Sequence, residues 1–207
     1  YTLWGTLVVD PSENKVFGRS NEVTFSDGGY FEIFPRKWLA GNPKTALENP
    51  SAAVISKASL EKYFPGMRPQ DVLGKELMWV DADTVTAQIT GVVEDFSENT
   101  DFIFTDFISF STIKHLQKEN WYGLDSWGNV NSSSQLFVKA VPGKSANDFD
   151  SEFESLVKKY YENNEGNSTN FSAEPLAEFH FNQNYNDTTV SKVYLKGLIY
   201  IAGLILL

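Results

Sequence analysis

A chain of 207 residues is long enough to bury a sizeable core, as one domain or as two small lobes. With 42% hydrophobic and 21% charged residues it has the composition of a folded protein, and its net charge of −10 argues against a nucleic-acid-binding surface, which needs clustered Lys and Arg. It contains no cysteine, which excludes a disulfide framework, a Cys-ligated zinc site and a thiol nucleophile.

Residues 2–10 form an apolar, β-branched run closed by Asp10-Pro11, a strand followed by a turn. Residues 16–25 read as a second, less regular strand. Asp27-Gly28-Gly29 opens a helical turn in which Tyr30, Phe31 and Phe34 share one face, and Pro35 ends it. Trp38-Leu39-Ala40-Gly41 leads into the loop signal Gly41-Asn42-Pro43. Residues 52–55 are a short buried strand, and Ser56 is the expected N-cap of a helix carrying Leu60, Tyr63 and Phe64, stopped by Pro65-Gly66. Gly74 precedes a strand over 76–80, residues 81–83 turn, and 85–93 returns as its partner, with Gly91 at a bulge.

Residues 102–110 (FIFTDFISF) predict a strand that runs into a helix over 111–118. Residues 119–134 are rich in Asn, Ser, Trp and Gly and read as loop. A strand over 135–141 and the turn Pro142-Gly143 follow. The strongest helical pattern covers 147–162, with apolar residues at 149, 153, 156, 157, 160 and 161. Ser145 with Asp148 resembles a capping box at its start. Residues 171–181 are extended. Strands and helices mixed without strict alternation give an α+β class with one βαβ-like unit at 135–176, arranged as two lobes, one inserted in the other. Residues 197–207 carry no charge and would span about 16 Å as a helix, short of a ~30 Å hydrocarbon core. They are expected to belong to a transmembrane helix, cut partway, that starts at 193.

Candidate chemistry is sparse. Gly143-Lys144-Ser145 sits between a strand and a helix like the end of a phosphate-binding loop, but the required earlier glycine is Val138. Helix capping is the better reading. His115 and His180 have no partner at helical metal-ligand spacing, so no metal is assigned. Glu94, Asp95, Asp101 and Asp106 supply carboxylates of the type glycosidases pair, yet no cleft is indicated around them. No Gly-x-Ser-x-Gly occurs. Asn131, Asn167, Asn170 and Asn186 begin glycosylation-type triplets to which no function is attached. Catalytic, cofactor-binding and metal residues are all set at none.

The order of motifs is more telling than any one of them. Glu22-Val23-Thr24, Gly29 to Phe34 and Leu39-Ala40-Gly41-Asn42-Pro43 are followed by residues 51–56 with Leu60-Glu61-Lys62-Tyr63-Phe64. Then come Leu73-Gly74-Lys75-Glu76-Leu77, Ile89-Thr90-Gly91-Val92-Val93-Glu94-Asp95, residues 136–139 with Pro142-Gly143, the helix at 147–162 and Pro175-Leu176-Ala177-Glu178-Phe179-His180. This succession resembles the MacB-like periplasmic core domain. The resemblance implies a permease of the MacB/FtsX type within an ABC transporter, in the bacterial inner membrane, with this domain on the periplasmic side.

Such a domain does no chemistry and holds no cofactor. It couples motion of a cytoplasmic ABC ATPase partner to substrate export or partner activation outside the membrane, a role called mechanotransmission. Further implied partners are a second permease copy or homologue and a periplasmic or outer-membrane protein; nucleic acid is not among them. The resemblance also implies a porter-like lobe, 1–41 with 99–192, and a smaller inserted α/β lobe, 42–98. A coupling module needs a partner surface, for which Trp121, Tyr122 and Trp127 are the candidates; the alternative is that these aromatics cover the core beneath a long loop. A membrane-tethered module that binds a sugar or lipid is the competing function.

Overall fold

The computed structural model describes residues 1–81, 83–96, 100, 102–116, 122–127, 133–161 and 169–179. The chain divides into two compact units, Tyr1–Lys139 and Ala140–Leu207.

In the first unit, nine strands among the described residues form one sheet: β1 (Thr2–Leu3), β2 (Thr6–Asp10), β3 (Lys15–Ser20), β4 (Val23–Ser26), β5 (Trp38–Gly41), β6 (Ala52–Ser56), β7 (Glu76–Val80), β8 (Thr84–Val93) and β9 (Asp106–Ser109). Their order is β1-β4-β9-β6-β8-β7-β2-β3, with β5 beside the far end of β8. The first apolar run splits into β1 and β2 because Gly5, at φ +66°, turns the chain between them. Asp10 then tightens the β2–β3 turn by accepting the Ser12 amide at 2.8 Å and its hydroxyl at 2.6 Å.

Pairing is parallel for β4 with β9 and for β6 with β8, and antiparallel elsewhere. The β6-to-β8 crossover contains helix α2 (Lys57–Tyr63), whose N-cap is Ser56 as expected: its hydroxyl accepts the Ser59 amide at 3.1 Å. Strand β8 changes character along its length. Val85, Ala87 and Ile89 are buried while Thr84, Thr86 and Gln88 are exposed; past Thr90 the strand is buried at every residue. The change coincides with a change of neighbour. On one edge β7 pairs as far as Gln88 and β5 takes over at Gly91. On the other edge β6 runs from Gln88 to Val93 with a register shift across Thr90.

Leu60, Tyr63 and Phe64 from α2 join one core cluster with Val8, Phe25, Ile55, Trp79 and Ile108. Side chains alternate across a strand, so Phe107 of β9 points the other way from Asp106 and Ile108. It meets the aromatics of α1 (Tyr30–Ile33), with Tyr30 and Phe31 at ring distances of 4.9 and 5.0 Å. Phe34 continues this second layer to Phe102 and Phe137, each 5.1 Å away.

The α+β class stands, with several corrections. Residues 42–98, expected as a smaller inserted lobe, supply β6, β7 and β8, which bond to β9 on one side and to β2 and β5 on the other. The sheet therefore crosses both expected boundaries. Trp38–Gly41, which leads into the expected loop, is itself a strand. The strand expected over 102–110 is only β9, and the helix after it is a 3-10 turn, Phe110–His115, in which Thr112 and Ile113 alone are buried.

In the second unit a 3-10 turn, Ala146–Phe149, enters α3 (Asp150–Tyr161), and α4 (Leu176–Phe179) is a single turn. Phe171 packs on Phe153 and Tyr161 at 6.4 and 5.6 Å. Of the βαβ-like unit at 135–176, the helix is the element that forms among the described residues. Residues 135–141 join no ladder, and Leu136 is 87% exposed. The expected membrane segment, 193–207, lies outside the described residues, and no described helix is long and apolar enough to cross a membrane.

Candidate functional site

The aromatic residues put forward as a partner surface separate in the structure. Tyr122 is only 8% exposed and packs edge-on to Tyr1 at 5.0 Å and Phe25 at 5.6 Å, so no partner can reach it. That corrects its assignment: it covers the core. Trp127 is 47% exposed and keeps its candidacy. Trp121 lies outside the described residues.

The residues weighed for chemistry have structural tasks. Lys144 pairs with Asp148 at 3.1 Å, and the Ser145 amide and hydroxyl donate to the same carboxylate at 2.6 and 2.9 Å. These bonds hold the Asp148 carboxyl below its ordinary pKa, the Ser145 amide contributing most. Gly143-Lys144-Ser145 is thus a helix start. Asp95 accepts the Ala58 amide at 3.1 Å and Glu94 pairs with Lys57 at 3.4 Å, so both serve the first turn of α2. Asp101 and His180 lie outside the described residues, and no group of three His, Cys, Asp or Glu among the described residues is placed to hold a metal. An open depression of about 310 Å³ is lined by Asp10, Pro11, Ser12, Phe64, Lys75 and Glu76. It lacks the enclosed apolar walls that bury most of a bound sugar or lipid.

Two interior constellations carry the geometry of the domain. The first is the β5–β8 ladder at the point where Gly41 meets Gly91. Gly41 has φ +85°, and a Cβ there would collide with the Thr90 carbonyl and lie 2.8 Å from Gly91 Cα. A Cβ on Gly91 would lie 2.5 Å from the Trp38 ring and 3.2 Å from Val54. Both positions require glycine. Thr90 stitches the bulge by donating to the carbonyls of Ala46 (2.6 Å) and Ala53 (3.0 Å). Thr90→Val keeps the shape and loses this donor, leaving two partly buried acceptors. It should lower stability by about 1–3 kcal/mol, read as a lower denaturant midpoint at unchanged slope.

The second is Asp106, fully buried at the middle of the sheet. Its Oδ1 accepts Ser59 Oγ at 2.5 Å; its Oδ2 accepts the Tyr63 hydroxyl at 2.8 Å and Trp79 Nε1 at 3.1 Å. Burial pushes the carboxyl pKa up, and the three hydrogen bonds oppose it. Burial, with the neighbouring Asp106 charge, also raises the pKa of Tyr63. The network ties α2, β7 and β9 together. On the other face Arg36 donates to the Phe104 carbonyl at 2.7 Å with its guanidinium 4.0 Å from the Phe96 ring.

Residues 5–156 match the family model of the MacB-like periplasmic core domain. The chain belongs to that family. No curated protein matches it. Among solved structures, a domain of a protein described as a permease from Porphyromonas gingivalis aligns with a TM-score of 0.56 at 19% identity, over 86% of this chain and 78% of that one. The periplasmic region of MacB from Actinobacillus actinomycetemcomitans aligns with a TM-score of 0.47 at 16% identity, over 77% of this chain and 63% of that one. The first likeness establishes a shared fold. As a MacB-like periplasmic domain, the chain is part of an ABC transporter permease, on the periplasmic side of the inner membrane. Its Gly41-Asn42-Pro43 and Thr90-Gly91-Val92 motifs sit together at the β5–β8 ladder.

Proposed function

We propose that this domain couples the ATP-driven motion of a cytoplasmic ABC ATPase to substrate export or partner activation outside the membrane, without chemistry of its own. The observation that carries the reading is the family match over residues 5–156. It is supported by what the interior groups do: Ser56 caps α2, Gly41 and Gly91 let β5 lie close to β8, and Asp106 ties α2 to the sheet. The partners are the ATPase, engaged through the membrane-embedded part of the permease, a second permease copy or homologue, and an extracytoplasmic protein that meets the surface around Trp127.

The test uses the intact permease with its ATPase, reconstituted in vesicles. Trp127→Ala should leave the stability of the protein nearly unchanged, within about 0.5 kcal/mol, because the side chain is half exposed. It should reduce output outside the membrane while ATP hydrolysis continues. Output and hydrolysis falling together, or neither changing, would count against a partner surface there. The coupling role itself fails if locking the domain with a cross-link across β5 and β8 leaves output intact. Calorimetric titration with sugars and lipids provides the opposing outcome: saturable stabilisation would replace coupling by a ligand-binding module.

A further inference from the structure

Asp106 does something that neither packing nor coupling requires. The strand around it is otherwise apolar or hydroxylic, and a carboxyl with no access to water is costly to bury as an anion. Its partners are a hydroxyl, a phenol and an indole rather than a cation. The ion pairs Lys57–Glu94, Arg68–Asp71 and Lys144–Asp148 do not touch it.

The charged groups that act on the network are few. Lys62, on α2, favours the ionised carboxyl through space, and Glu22, ahead of β4, acts on Tyr63. The backbone of Asp106 is held by the Glu22 carbonyl at 3.2 Å, so the strand itself is fixed. The β7 contribution is the uncharged Trp79.

Within this frame one partner can reverse its role. Tyr63 and Trp79 donate to Oδ2 whether or not the carboxyl holds a proton. Ser59 donates to Oδ1 when Asp106 is ionised and accepts from Oδ1–H when it is neutral; the Oδ1–Oγ distance of 2.5 Å suits both. The heavy-atom arrangement therefore serves two states that differ by one proton and one buried charge. Two of the three side-chain partners, Ser59 and Tyr63, stand on the same face of α2.

We propose that Asp106 is a protonation-controlled fastener of helix α2 to the sheet, tight with a neutral carboxyl and looser once it ionises. The direction follows from linkage. A carboxyl whose pKa is raised in the folded state binds more protons folded than open. Its contribution to closure is complete below the open-state value of 3.8 and is lost as pH rises through the folded-state value. The proposal is independent of the coupling role and is tested without it.

Hydrogen exchange of the α2 amides, corrected for intrinsic rates, reads the opening of the helix directly. From about pH 4 to about pH 8 the opening constant of the wild type should rise, by at most about tenfold per pH unit, and then level off. Asp106→Asn, which cannot ionise, should remove that rise. Tyr63→Phe takes away one donor to the anion, so its levelling point should move to higher pH. A wild-type opening constant that does not change over this range overturns the proposal, as does the same rise persisting in Asp106→Asn. Should the Asn variant fail to fold, an unmoved levelling point in Tyr63→Phe overturns it instead.

Discussion

Gly41→Ala should destabilise the domain by about 2–5 kcal/mol, a large fraction of the stability of a typical domain. Two costs combine. The left-handed backbone of Gly41, at φ +85°, disfavours any Cβ by about 1–2 kcal/mol. The new methyl must also enter the Thr90 carbonyl and the Gly91 Cα, and overpacking of this kind costs about 1–3 kcal/mol. Because both obstacles are backbone atoms, no rotamer change relieves them. Gly18 separates the two costs: it has φ +93°, but a methyl there would meet nothing within 4 Å. Gly18→Ala should therefore show the backbone cost alone. Equal losses at Gly41 and Gly18, measured as denaturant midpoints, would mean that the β5–β8 ladder is not tightly packed there.

Asp106→Ala is expected to cost about 3–5 kcal/mol at mildly acid pH. The change strands the Ser59 hydroxyl, the Tyr63 hydroxyl and the Trp79 N–H in a site without solvent. It also leaves a void beside Trp79, a fully buried residue whose fluorescence should report the loss. The gap between wild type and variant has a predicted slope. The wild type gives up stability as pH rises because Asp106 must take up a proton on folding, and the variant has nothing there to titrate. The difference should be widest in acid and narrow as pH rises through the folded-state pKa. A difference that widens with pH would show the carboxylate to be favoured as an anion, against the direction that burial sets.

Local signals in the sequence marked much of this fold. Ser56 before an apolar run, Gly74 before β7 and the chain reversal between Val80 and Thr84 are short-range features, and each sits where expected. Non-local pairing was harder to see. Trp38–Gly41 is too short to show a period, and it becomes a strand only because β8 offers it an edge some fifty residues on. The reverse holds for 135–141, whose apolar residues suit a strand but pair with none among the described residues.

The site followed the same rule. One acid inside FIFTDFISF hints at a buried charge, but its bond to Tyr63, 43 residues away, is set by tertiary structure. Tyr122 and Trp127 share one aromatic loop and look alike in sequence. Their burial differs because Tyr122 meets Phe25 and Tyr1 from distant parts of the chain. The glycine motifs carried the resemblance through their order alone. Their cause, the close approach of Gly41 to Gly91, needs both strands in place.

The change of neighbour along β8 has a mechanical side. On one edge there is a joint between Gln88 and Gly91, where β7 ends and β5 begins. On the other edge β6 continues past that joint, from Ala52 opposite Gln88 to Ser56 opposite Val93. It acts as a splint across a butt joint. A pull along β8 that tends to part β5 from β7 loads the β6 ladder lengthwise, so its hydrogen bonds share the load and yield together rather than unzipping singly. The butt joint is thus a gap in the ladder on one edge of β8 that β6 spans on the other.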